Sequence, residues 1–449
     1  MSSIASIQES VAKSGLKRRR DNILEHDRTI KKRKDSKNNS ENEDTDFMEQ
    51  KEPLMFQHDH LPQGYAIPKQ QERLLLHGKR QRYELDHTYQ IPEPNPGDEV
   101  LVKVQYIGLN PIDWKAPDFG FGIPWLPYIA GREFVGQVVA TPLTSNSTSA
   151  RKIRLGDIVL SASTDYRDRR KAAFQELTVA PTFNLCRVPT SIGDKSRVAG
   201  LGVAFVAAAL TLGVCLGVDF ERLVGDVPRG PNLKAILKSV PVDAIPIDVR
   251  AESFSNIVSS ERPVAGDWLV IWGGSSATAC VLAQLAKHSG LRVIKVVDVA
   301  KHGARLSEGP ADLIVDAYDT NRAVDIIRQV TKGKLRFGVD TVGTPTATLL
   351  QQALCCSEKS LSSHLVGLTG LPNDPMTGVT QHIVPIKLHH EVPAIGEAMM
   401  VWLEKLLASG NILPPEVEVL GGGLSAVNEG LDRMRRGEIS GRRLAVHLA

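Results

Sequence analysis

The sequence predicts an α/β protein in which a β-rich domain of short strands is split around a doubly wound parallel sheet. Three observations carry this. Between residues 98 and 160 apolar runs alternate with turn residues at short intervals. From about residue 204 helical patterns alternate with apolar strands at 293–297, 313–315 and 337–340. The segment Trp268-Leu-Val-Ile-Trp-Gly-Gly-Ser-Ser-Ala-Thr-Ala279 reads as strand, tight small-residue turn and helix, and leads to a second strand ending in Asp298.

Residues 1–70 are polar, lack sustained periodicity and are expected to be disordered. Within them Lys17-Arg18-Arg19-Arg20 and Lys31-Lys32-Arg33-Lys34 flank a ten-residue spacer, the layout of a bipartite nuclear localisation signal. Three readings stand side by side: an import receptor bound through residues 17–34, a solvated charged tail, and a mitochondrial presequence, which Glu9 and the dense basic clusters oppose. The protein is expected in the cytoplasm or the nucleus. The net charge of +3 over 449 residues gives no chain-wide basic field for nucleic acid.

Folded sequence begins near residue 71. Strand-like segments at 98–106, 131–139 and 156–160 belong to the β-rich domain, expected over residues 71–203 and again over 375–449. Residues 198–218 carry no charge and are long enough to cross a bilayer, but four glycines and the α/β pattern that follows favour a buried helix and no membrane span. The parallel-sheet domain is expected over residues 204–374, with a proline-rich insertion at about 219–263. Residues 392–409 have helical periodicity, and 437–448 read as a turn and a last strand that returns to the β-rich domain. The five cysteines, Cys186, Cys215, Cys280, Cys355 and Cys356, are odd in number and form no C-x-x-C pair, which fits a reducing compartment.

The turn after residue 272 is the first candidate site. Gly273 and Gly274 permit close approach of a ligand, and the helix behind them points free amides and a positive dipole end at a diphosphate. The three glycines usual in a dinucleotide fingerprint are Gly273, Ser276 and Ala279 here. Gly273, Gly274, Ser275, Ser276 and Ala277 are therefore candidate cofactor residues, with Asp298 placed to accept from an adenosine ribose. Asp298 favours NADH, whereas Lys301, with His302 and Arg305 close by, offers cations for the extra phosphate of NADPH.

Six blocks in order resemble the medium-chain dehydrogenase/reductase superfamily over residues 72–449. They are residues 97–115, 129–139, 156–159, the glycine loop, Phe337-Gly-Val-Asp-Thr-Val-Gly343, and Gly437-Glu-Ile-Ser-Gly441. The resemblance implies a GroES-like catalytic domain split around a Rossmann domain, with Gly343 at the cofactor site and a small-molecule substrate in the cleft. It also admits a homodimer paired through the Rossmann sheets. Gly108-Leu-Asn-Pro-Ile-Asp-Trp-Lys115 resembles the zinc-independent quinone oxidoreductases and fungal trans-acting enoyl reductases. Where zinc members of the superfamily place a cysteine, a histidine and a third ligand, this chain has Asn110, Arg132 and Leu201, and Glu133 alone cannot hold the metal. No zinc is expected.

Without a Lewis acid, hydride transfer suits a C=C bond conjugated to a carbonyl, or a quinone. The resemblance implies NADPH, against the NADH reading of Asp298, and extends the substrate to acyl chains carried by a polyketide synthase. Asn110 is the candidate for a hydrogen bond to the substrate carbonyl or the nicotinamide, Asp113 for orienting its neighbours, and Lys115 for stabilising oxyanion charge or relaying a proton. Equally, Asn110-Pro111 makes a turn, Asp113 caps it and Lys115 is solvated. Related enoyl thioester reductases carry a proton-donating tyrosine where this chain has Phe121. The aromatics Phe119, Phe121, Trp125 and Tyr128 either line an apolar pocket or pack between domains. Alternative functions are an alcohol or aldehyde dehydrogenase, which the zinc-ligand positions oppose, and a nuclear nucleotide-sensing protein with weak catalysis.

Overall fold

The computed structural model describes residues 66–141, 153–162, 165–355 and 362–448. The tail expected to be disordered and its basic clusters at 17–34 lie outside the described residues. Fifteen strands are described: β1 (Gln70–Leu75), β2 (Glu84–Gln90), β3 (Glu99–Leu109), β4 (Glu133–Ala140), β5 (Ile158–Ala162), β6 (Leu177–Pro181), β7 (Leu185–Arg187), β8 (Trp268–Trp272), β9 (Arg292–Val297), β10 (Leu313–Asp316), β11 (Phe337–Asp340), β12 (Ser363–Gly367), β13 (Val379–Ile383), β14 (Val417–Leu420) and β15 (Arg443–His447).

The strands β3–β7, joined by β14 and β15 from near the end of the chain, form a seven-stranded sheet in the order β14-β15-β3-β4-β5-β7, with β6 on the long strand β3. The last strand of the chain does return here: β15 runs antiparallel to β3, Leu444 opposite Leu109. A small β1–β2 ribbon leads into this sheet.

The second half is a six-stranded parallel sheet in the order β10-β9-β8-β11-β12-β13. Side chains on successive residues of β8 enter different cores, as the two-residue period of a strand requires. Leu269 and Ile271 pack with the helices Gly202–Leu210, Ala277–His288 and Pro393–Ala408; Val270 and Trp272 pack with Thr320–Thr331 and Thr344–Ala353. Helices therefore cover both faces, and the strands read as continuous apolar runs because neither face meets water. The sheet extends past the boundary expected at residue 374, because β13 hydrogen-bonds in parallel to β12.

The uncharged run at 198–218 overlaps, up to residue 215, a helical stretch, Lys195–Cys215, that is apolar and long enough to span a bilayer and is 89% buried in its most apolar window. Its core is the Gly202–Leu210 helix, which joins the two sheets into one apolar core containing Val135 and Leu160 as well as Leu269 and Val293.

Candidate functional site

In the parallel sheet the chain runs outward from β8 to β9 and β10 on one side and, after crossing, from β11 to β13 on the other. Such a switch in strand order opens a crevice at the C-terminal strand ends. Here β8 ends at Trp272, opposite Asp340 of β11. Gly273 follows with φ +78°, a conformation that side chains rarely adopt, and a Cβ there would stand 2.4 Å from the Thr341 hydroxyl oxygen. A Cβ on Gly274 would stand 2.7 Å from the Lys295 Cβ. Both glycines are thus fixed by close approach as well as by any ligand.

Ser276 caps the Ala277–His288 helix, its hydroxyl accepting from the Ala279 amide at 3.2 Å and donating to the Thr341 hydroxyl at 3.2 Å. The first helical amides have no partner within a helix, so this end presents donors to an anion. Across the crevice Asp340 Oδ1 accepts from the amides of Val342 and Gly343 at 2.9 and 2.7 Å and shapes the turn that faces the glycine loop.

Asp298 is exposed at the end of β9 and caps the helix Val299–Leu306, accepting from the Lys301 amide at 3.1 Å. Lys301 is also exposed. His302 turns away, its Nε2 2.9 Å from the Ser440 hydroxyl, and the Arg305 guanidinium lies against Gly441. These contacts tie the cofactor-side helix to the turn before β15.

Lys295 was not singled out from sequence. It is fully buried in β9, its stem beneath Gly274, and its ammonium has no hydrogen-bond partner among the described residues. Burial holds its pKa below the usual lysine value. A lysine at the centre of the apolar run Val293–Val297 was the available signal.

A second centre forms where β3, β4 and β15 meet the start of the Gly202–Leu210 helix. Asn110 ends β3 and begins the helix Pro111–Phe119; Glu133 opens β4. Asn110 Nδ2 donates to the Gly108 carbonyl and to Glu133 Oε2, both at 3.1 Å. Arg443 Nη2 donates to Asn110 Oδ1 at 2.6 Å and to Glu133 Oε2 at 3.2 Å. The Val203 amide reaches the other Glu133 oxygen at 3.3 Å, so the start of the Gly202–Leu210 helix closes the same spot. Of the positions expected to hold zinc ligands in other members, Asn110 thus faces a carboxylate whose cation is Arg443.

Asp113 accepts from the Asn110 amide at 2.8 Å, and the Tyr83 hydroxyl donates to the Asp113 carbonyl at 2.8 Å. Burial pushes the Asp113 carboxyl up to about 6 against the pull of Arg132 and Arg443. Burial likewise pushes Glu133 up to about 7 against Arg443 and Asn110. Lys115, two residues along the helix, is half-buried with its ammonium 5.7 Å from the Trp114 ring centre. The structure therefore brings Asn110 and Asp113 together and leaves Lys115 on the flank. Asn110 spends its amide on protein partners.

Arg132 lies with its guanidinium 5.1 Å from the Tyr166 ring centre, and Tyr166 packs edge-on to the buried His390 at 6.3 Å. Neither Tyr166 nor His390 was picked out from sequence, since no spacing links them to Arg132. Phe119, Phe121 and Trp125 are exposed, while Tyr128 is buried.

Residues 96–190 match the alcohol dehydrogenase GroES-like domain. The trans-enoyl reductase cghC of Chaetomium globosum is 30% identical over 287 residues, covering 64% of this chain and 69% of that protein. The trans-enoyl reductase mycC of Thermothelomyces thermophilus is 26% identical over 403 residues, covering 84% and 97%. A mycobacterial protein solved in complex with NADPH superposes with a TM-score of 0.59 at 18% identity, covering 84% of this chain and 99% of that one.

Proposed function

Since the chain belongs to the trans-enoyl reductases of the medium-chain dehydrogenase/reductase superfamily, we propose that it reduces a C=C bond conjugated to a carbonyl, with NADPH as the reductant and without zinc. It is an NAD(P)H-dependent oxidoreductase acting on a small molecule. The observation that carries the finer reading is the Asn110–Glu133–Arg443 centre. A zinc ion needs three or four anionic or lone-pair donors. This centre offers one carboxylate, already paired with a guanidinium, next to an amide whose nitrogen is a donor. The donor set does not fit the metal.

The glycine loop fits a dinucleotide. Gly273 and Gly274 form a tight turn that side chains could not enter, and the capped Ala277–His288 helix behind it offers amides to the diphosphate. Ser275 and Ala277 flank Ser276 in this cradle, and Gly343 lies across it, where an added Cβ would meet only ordinary contacts at 3.9 Å and beyond. The nicotinamide supplies hydride when bound. Lys301 supports NADPH, as does the NADPH complex of the mycobacterial neighbour, while the exposed Asp298 carboxylate opposes the extra phosphate.

On this reading Asn110 and Asp113 are positioning residues. They hold the start of the Pro111–Phe119 helix and, through Arg443, the last strand. Lys115 stabilises charge on the substrate oxygen. With phenylalanine at 121, Tyr166 is the phenol next to Arg132 and supplies the proton to the reduced carbon. The exposed Phe119, Phe121 and Trp125 favour an apolar acyl chain.

The test is a panel: purified full chain with NADPH or NADH and, in turn, an α,β-unsaturated thioester, an enone, a quinone and a primary alcohol with the oxidised cofactors. Oxidation of NADPH by the unsaturated acceptors supports the reading. Alcohol oxidation without reduction of any unsaturated acceptor overturns it.

A further inference from the structure

A third cluster shares no residue with either centre. The Cys215 sulfur, a Glu252 carboxylate oxygen and a His382 ring nitrogen lie within 4.8 Å of one another, and all three residues are buried. They come from three separate places: Cys215 ends the π-helical turn Thr211–Cys215, Glu252 sits in the short helix Arg250–Phe254 of the insertion, and His382 is in the edge strand β13. We propose that these three side chains form a structural site for a divalent transition metal of the zinc type, which clamps the insertion onto the parallel sheet.

The donor chemistry is the first argument. Thiolate, imidazole and carboxylate are the ligands zinc takes from proteins. One thiolate and one carboxylate cancel a double positive charge, so the loaded site is neutral, as a buried site requires. Metal–sulfur and metal–nitrogen bonds of about 2.3 and 2.0 Å set tetrahedral ligand atoms roughly 3.3–3.6 Å apart. The spread of at most 4.8 Å needs a contraction of up to about 1.5 Å, whereas Glu252 Oε1 and His382 Nδ1, now 2.7 Å apart, would open by about 0.6 Å.

The surroundings are the second argument. A ligating histidine generally donates its other ring N–H to a fixed partner, which sets its tautomer. His382 has that partner: its Nε2 is 2.9 Å from Nδ1 of His364, which is fully buried. A proton on His382 Nε2 leaves Nδ1 with its lone pair toward Cys215 and Glu252. The chain of tautomers then puts the next proton on His364 Nε2, which has no hydrogen-bond partner among the described residues and faces the Glu261 carboxylate at 3.8 Å. Asn256 donates to Glu252 Oε2 at 2.7 Å and fixes the carboxylate. Lys234 donates to the carbonyls of Glu252 and Ser253 at 3.1 and 2.9 Å and holds their helix in place.

On binding, the Cys215 S–H bond breaks and its proton leaves to solvent. Bonds form from the metal to Sγ, to one Glu252 oxygen and to His382 Nδ1, with a water in the fourth position and no change of oxidation state. This assignment is independent of the reductase reading.

The experiment uses full chain purified without a metal-affinity tag, stripped by dialysis against chelator and titrated with Co²⁺. A thiolate-to-cobalt charge-transfer band that saturates at one equivalent is expected, lost in Cys215→Ser and kept in Cys280→Ser. His364→Gln keeps the band and weakens affinity by about 10–100-fold, as loss of an outer-shell partner does. The wild type alone also decides: X-ray absorption of the zinc-loaded protein must show one sulfur neighbour. Absence of the band in wild type, its survival in Cys215→Ser, or a zinc spectrum without sulfur overturns the assignment.

Discussion

Arg443 Nη2 lies 2.6 Å from Asn110 Oδ1 and 3.2 Å from Glu133 Oε2, so the last strand of the chain supplies the cation for a carboxylate more than three hundred residues upstream. Removing one partner of a buried pair is costly because the other charge stays behind, by about 3–5 kcal/mol. Arg443→Met is expected to lose stability on that scale at pH 8.5, where Glu133 is ionised, and much less at pH 6, where the carboxyl takes up a proton. Arg443→Met combined with Glu133→Gln should recover most of the loss. Denaturant midpoints at both pH values check this, and equal losses at the two would refute it.

Opposed titrations set the pH profile of stability. Asp113 rises from 3.8 to about 6 and Glu133 from 4.5 to about 7, chiefly through burial. Each folded carboxyl holds its proton more tightly than the unfolded one, so this contribution is present below about pH 4 and lost as pH rises through 6 and 7; it amounts to about 3 kcal/mol per group. Burial drives His389 down to about 3 and His390 to about 4, so theirs is present above 6.5 and lost on acidification through 4 and 3. The two sets offset each other between pH 4 and 7. Asp113→Asn with Glu133→Gln removes only the acid-favouring set, and unfolding midpoints at pH 5 and 7.5 should show a steeper acid loss than wild type.

These relationships also mark what a sequence conveys. The parallel sheet and the glycine loop were legible because a fully covered parallel sheet makes its strands continuously apolar, and because the Gly273 turn is local in sequence. The β13 strand was missed as the sixth member of that sheet: Val379–Ile383 reads Val-Thr-Gln-His-Ile, with His382 fully buried in the edge strand through contacts to Glu252 and His364. Asn110 was a candidate from the sequence, but its contact with Arg443 was not legible there, since no local rule pairs residues at opposite ends of a chain. Lys295 broke the apolar pattern of β9 visibly, yet only the fold sets it beneath Gly274.

Lys295 has a measurable consequence. A buried ammonium without a partner among the described residues destabilises the cofactor-free protein, while a dinucleotide diphosphate on the loop above it would bring negative charge close. Lys295→Met should therefore raise the unfolding midpoint of the free protein and lower its affinity for NADPH. Thermal unfolding across a cofactor titration reads both; a gain in stability with unchanged affinity would leave Lys295 a packing residue only.

The exposed Asp298 charge is the test of the proposed NADPH preference. Asp298 caps its helix through Oδ1, a role that the asparagine carbonyl can also fill. Asp298→Asn thus removes the charge and keeps the cap. The ratio of kcat/KM for NADPH over NADH should rise by about tenfold, the effect of roughly 1.4 kcal/mol of relieved repulsion, with Tm unchanged. A fall in Tm without a change in the ratio would confine Asp298 to capping.

Proton delivery is the remaining step that the chain itself must perform. Phe121 has no proton to give, and the buried phenols of Tyr83 and Tyr128 are pushed to higher pKa, chiefly by burial. Tyr166 differs in being partly exposed, with its ring centre 5.1 Å from the Arg132 guanidinium. Positioned proton transfer contributes about 10²–10⁴-fold. Tyr166→Phe is expected to lower kcat for an α,β-unsaturated thioester within that range and leave NADPH affinity unchanged. It should also bring out a solvent deuterium isotope effect, because protonation then limits the rate. Arg132→Lys should cost less, since it keeps the positive charge and loses only the planar contact with the ring. Wild-type turnover by Tyr166→Phe would return the proton to solvent and leave Arg132 and Tyr166 as a packing pair.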